Sequence, residues 1–80
     1  MKLPAINKAV ESYSLIDLKK AEDQLLNEEE PHISLEGEDE GEQLTHCMAA
    51  IWIKEEMERT GMDIQKATRN YIERVRNSIN

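Results

Sequence analysis

The sequence predicts an all-α protein of about four helices, the last two forming a long antiparallel αα-hairpin over about residues 39–60 and 63–79. Three observations predict it. Apolar residues follow helical spacing, as at Leu18, Ala21, Leu25 and Leu26 or at Ile64, Ala67, Tyr71 and Val75. Residues with capping chemistry stand where those stretches begin and end. The alternating segment around Ile33 and Leu35 has no second segment to pair with, so no sheet is expected.

Each element can be justified in turn. Pro4 is tolerated at a first helical position, and Leu3, Ile6 and Val10 supply a short apolar stripe up to about Ser12. A second helix follows Ser14, which can cap it. Asp17 stands at the third helical position as in a capping box, and Tyr13 is placed to staple onto Leu18. That helix should end near Asn27, because Glu28, Glu29 and Glu30 oppose its dipole and Pro31 hinders continuation. An acidic connector spans about residues 28–42, and its last acids favour the start of the third helix electrostatically. Gly61 suits the left-handed position of a Schellman stop, with Met62 beyond it to touch Met57. Asp63 then caps the fourth helix, whose stripe is Ile64, Ala67, Tyr71, Val75 and Ile79.

Eighty residues suffice for a single small helical domain over 1–80, of the size that buries only about 60% of its unfolded surface. The net charge of −7 argues against a nucleic-acid groove or an anionic membrane as partner. One cysteine excludes an internal disulfide framework and fits a reducing, cytoplasmic setting. The longest apolar run, Cys47 to Ile53, is too short to span a bilayer. No lysine or arginine falls between Lys20 and Lys54, whereas Lys66, Arg69, Arg74 and Arg76 make the C-terminal segment basic. The basic segment is therefore expected near the acidic middle, within the fold or across an oligomer.

The third helix carries apolar residues on two sides. Leu44, Cys47, Met48 and Ile51 form one face, and Ala49, Ala50, Ile53 and Met57 lie nearly opposite. Few large apolar residues remain in the first two helices to cover both. The expectation is a homodimer with Ala49, Ala50, Ile53 and Met57 as the candidate interface, from which Ile53→Glu would release monomers.

No constellation in the chain points to catalysis. Glu36, Glu38, Glu40 and Gly41 imitate the start of an EF-hand loop, but Cys47 stands where the bidentate Glu is required. Glu38, Glu42 and His46 recur at i, i+4 and i+8, and His32 brought across would complete a conceivable transition-metal site. The two facing Glu-x-x-His pairs of di-metal bundles are absent. Cys47, well inside a helix on an apolar face, reads as a slow structural thiol. No cofactor is expected. The expected function is a non-enzymatic, self-associating protein–protein interaction module. The alternative is a small thiol-redox-associated or metal-handling protein using Cys47, His46, His32 and the acidic segment.

The opening Met-Lys-Leu-Pro, Gly41-Glu42 with Thr45 and Ala50-Ile51, the Gly61-Met62 turn, Ala67, and Val75 with Ser78-Ile79 resemble a family of short uncharacterised proteins from Bacteroidetes, a domain of unknown function. The resemblance covers mainly residues 41–80 and the first few, with a poor match over 11–40. It implies at most a loose tie to thiol redox physiology, through neighbouring thioredoxin-like or peroxiredoxin-like genes, and it transfers no functional residue.

Overall fold

The structure, a computed structural model, describes residues 2–78. Four helices, α1 (Leu3–Ser12), α2 (Leu15–Leu26), α3 (Glu40–Thr60) and α4 (Ile64–Ser78), account for its regular structure, and no strand is present among the described residues. Ile79, expected to end the α4 stripe, lies outside them.

Local chemistry sets the helix boundaries. The Ser14 Oγ accepts from the Asp17 N–H at 3.1 Å, and the Asp39 Oδ1 accepts from the Glu42 N–H at 2.8 Å. Glu42 in turn accepts the Glu38 N–H at 2.9 Å, so a variant capping box starts α3 inside the acidic run. Residues 40–42, where the expected connector and the expected third helix overlap, belong to the first turn of α3. Asp63 Oδ1 caps α4 through the Lys66 N–H at 2.9 Å. The end of α1 has no basic residue of its own; Lys54 of α3 reaches across, its Nζ donating to the Val10 carbonyl at 2.9 Å.

The two helix stops exchange the roles their residues suggest. Gly61 is left-handed at φ 76°, but its N–H bonds the Met57 carbonyl at 2.8 Å and Met62 N–H goes to Thr60 Oγ1 at 3.3 Å. That is the simpler αL stop rather than the expected Schellman motif. The Schellman pattern instead closes α2, where Glu29 N–H bonds the Gln24 carbonyl at 2.8 Å and Glu28 N–H the Leu25 carbonyl at 3.1 Å. It places Glu28 at φ 59°, a region costly for any residue with a Cβ. Glu28→Gly is therefore expected to stabilise the fold by about 1 kcal/mol, raising Tm by about 4–8 °C, as thermal unfolding followed by circular dichroism would show.

Three sides of α3 are covered by the same chain. Toward α2, the Cys47 thiol donates to the Leu18 carbonyl at 3.1 Å and Lys19 pairs with Glu55 at 3.2 Å. On the α1 side lie the Lys54–Val10 bond and a bond from the Lys2 N–H to His46 Nε2 at 3.0 Å. Trp52 and Tyr71, on opposite sides of Gly61 in sequence, stand 5.7 Å apart at 51°, so α4 folds back along the third side. Thr68 Oγ1 bonds Asn7 Oδ1 at 3.1 Å and closes α4 onto α1.

This arrangement corrects the argument for an open second face. Ala49, Ala50 and Ile53 are 0% exposed, in one cluster with Ile6, Ala9, Val10 and Ala67, and Met57 is partly buried against it. Small α1 residues and Ala67 let the helices approach closely enough to cover that face with little bulk. Counting large side chains underestimates what a helix built on alanines can cover.

The connector is tied down at several points. Leu35 is buried and Ile33 packs on the core. Tyr13 Oη donates to the Ser34 carbonyl at 3.0 Å, and Lys8 lies 3.6 Å from Glu36. Gly37 presses against α3 so closely that a Cβ there would meet the backbone nitrogen of Gln43 at 2.7 Å.

Candidate functional site

Of the residues with chemical potential, His46 is the most constrained. It is 1% exposed, its Nδ1 lies 2.7 Å from the Glu36 carbonyl, and its Nε2 accepts the Lys2 N–H. A backbone N–H can only donate and a carbonyl can only accept, so these partners define a neutral ring with its proton on Nδ1. Both nitrogens are used, and His46 acts as a peg joining the start of α1, the connector and α3. A cleft of about 660 Å³ opens beside it, lined by Pro4, Ala5, Leu35, Glu36, Glu42 and His46 among others. With neither ring nitrogen free, His46 brings no base or metal ligand to that cleft.

His32, imagined across from His46, sits elsewhere. Its ring spans Gln24 Oε1 at 3.0 Å and Asp17 Oδ1 at 3.1 Å on α2. Hydrogen bonds from His32 and then Ser14, with Lys20 nearby, hold the Asp17 carboxyl below its ordinary value. Glu42 is engaged by the Glu38 N–H. The conceivable Glu38–Glu42–His46–His32 grouping is thus not assembled, and no group of three or more His, Cys, Asp or Glu able to hold a metal occurs among the described residues.

Cys47 is buried with its S–H aimed at Leu18, a partner that sequence spacing did not reveal. Burial first, and the Glu22 carboxylate second, push its thiol up to about 11. In native protein at neutral pH the thiol should react with a disulfide reagent at least about 100-fold more slowly than in urea, as expected from so small a thiolate fraction behind a packed wall. Equal rates would contradict this placement.

The remaining side of α3, between α2 and α4, carries Met48, which is 51% exposed; the other exposed large apolar residues among those described are Leu3, Ile16 at 81% and Leu26 at 63%. Val10 lies against Lys54 and α2 begins just after α1, so α2 runs back antiparallel to α3. The Lys19–Glu55 pair marks their seam, and helical spacing puts Leu26 on the same edge of α2 as Lys19 and Met48 on the same edge of α3 as Glu55. Trp52 flanks them one turn from Met48, with the Arg74 guanidinium 5.7 Å from its ring centre. The sequence places Leu26 on the apolar stripe of α2 and Arg74 in the basic C-terminal segment, without joining either to Met48. A helical wheel of α3 shows Thr45, Met48, Trp52 and Arg59 on one side, the signal that locates this strip.

The fold and site define a small all-α protein with a three-sided helical cage around one central helix, no assembled catalytic group among the described residues, and no helix long and apolar enough to cross a membrane among those residues. The chain belongs to a family of unknown function, DUF6952, whose model matches residues 1–80. The match includes residues 11–40, where the resemblance read from the sequence was poor. No curated protein and no solved structure matches the chain.

Proposed function

We propose that this protein is a non-enzymatic protein–protein interaction module that forms a homodimer through the open side of α3, in a reducing cytoplasmic compartment. The observation that carries the reading is the exposed Met48 of α3 beside the half-buried Trp52, with the exposed Leu26 on the neighbouring α2, while Ala49, Ala50 and Ile53 are covered. A second copy fits this strip better than a basic or acidic partner because the strip has edges of opposite charge. Glu22 of α2 borders one side, where its carboxylate acts on Cys47, and Arg74 of α4 borders the other over Trp52. A two-fold axis running along α3 past Met48 sets the acidic edge of each copy against the basic edge of its mate, the self-complementarity an isologous interface requires. The lone buried cysteine supports the reducing compartment.

Sedimentation velocity across a concentration series tests the proposal. Wild type should move from monomer to dimer by hundreds of micromolar. Met48→Glu should remain monomeric with unchanged thermal unfolding in dilute solution, and Arg74→Glu should weaken the dimer in a way that Glu22→Arg restores. A wild-type monomer throughout the series overturns it.

A further inference from the structure

We propose that the connector is latched onto α2 by a doubly protonated His32, and that it loosens when that ring gives up one proton to solvent. The latch is independent of the dimer and is defined by the hydrogen bonds that His32 makes. His32 Nε2 faces Asp17 Oδ1 at 3.1 Å and His32 Nδ1 faces Gln24 Oε1 at 3.0 Å. The same Gln24 Oε1 receives the backbone N–H of His32 at 2.9 Å, which fixes that atom as the carbonyl oxygen of the amide. Both ring nitrogens therefore meet acceptors, and both must carry hydrogen.

Loss of either ring proton breaks the set. The carboxylate retains the Nε2 proton more strongly than a neutral amide retains its own, so Nδ1 is left with a lone pair against Gln24 Oε1. Turning the Gln24 amide over would offer Nδ1 a donor, but it would take the acceptor away from the His32 backbone N–H. One hydrogen bond is lost either way. The charged groups facing the ring are Asp17 on α2 with Lys20 beside it, while Glu28, Glu29 and Glu30 precede it in its own segment.

The latch consequently works within a window. Asp17, held below its ordinary value, contributes at pH above that value and is lost as the pH falls through its lowered one. At the other limit, the latch is lost once rising pH takes a proton from the ring. What the latch governs is the cover next to it: Ile33 packs on the core and Leu35 lines the cleft beside His46. Release exposes both.

Nuclear magnetic resonance on the full chain tests this. Ring nitrogen shifts should report both His32 nitrogens protonated at pH 5. The exchange protection of the His32 amide, corrected for intrinsic rate, should fall roughly fivefold by pH 8, the effect of one net hydrogen bond, while α3 amides hold. In Gln24→Ala and in His32→Asn, both surface changes, protection of the connector amides should be low and indifferent to pH. A neutral His32 ring at pH 5, equal protection at the two pH values, or an undiminished pH response in His32→Asn overturns the proposal.

Discussion

Ile53→Glu is expected to unfold the chain rather than split a dimer. Ile53 is 0% exposed in the cluster with Ile6, Ala9, Val10 and Ala67, and a carboxylate there would have no partner. An 80-residue fold has on the order of 4–12 kcal/mol of stability in all, and burying an unpaired charge costs at least about 4–5 kcal/mol. Circular dichroism should show lost helix at any protein concentration. Milder changes give numbers: Ile53→Val should cost about 1 kcal/mol and Ile53→Ala about 2–5 kcal/mol in urea titrations. A folded, monomeric Ile53→Glu protein would mean that the face is open after all.

His46→Ala is expected to cost about 3–5 kcal/mol, since it leaves the Lys2 N–H and the Glu36 carbonyl without their partner and opens a cavity between them. The two bonds can be separated. Asparagine places its amide near Nδ1 and can keep the Glu36 bond, whereas glutamine reaches toward Nε2 and can keep the Lys2 bond. His46→Asn and His46→Gln should each lose about half as much as alanine in urea titrations. Equal losses in all three would show that the ring's volume, and not its two hydrogen bonds, is what matters.

The helices were legible because their information is local. Ser14, Asp39, Asp63 and Gly61 carry caps and stops that depend on a few neighbouring residues, and all four lie at helix ends. What was not legible depends on distance. The Cys47–Leu18 bond and the Lys2–His46–Glu36 peg join residues far apart in sequence, and nothing in periodicity encodes such pairs. The coverage of α3 was misjudged because alanines at Ala5, Ala9 and Ala67 add little apolar mass yet determine how closely helices meet. Glu28 shows another limit: a left-handed stop built on glutamate carries no glycine to mark it.

Native-state hydrogen exchange of the α3 amides, in solution dilute enough to be monomeric by sedimentation, tests the self-covered central helix most directly. The amides from Cys47 to Ile53 should be the slowest in the chain and should exchange only with global unfolding. Fast exchange of these amides in the monomer, with α1 and α2 still protected, would contradict the account, because α3 would then depend on a second chain for its cover.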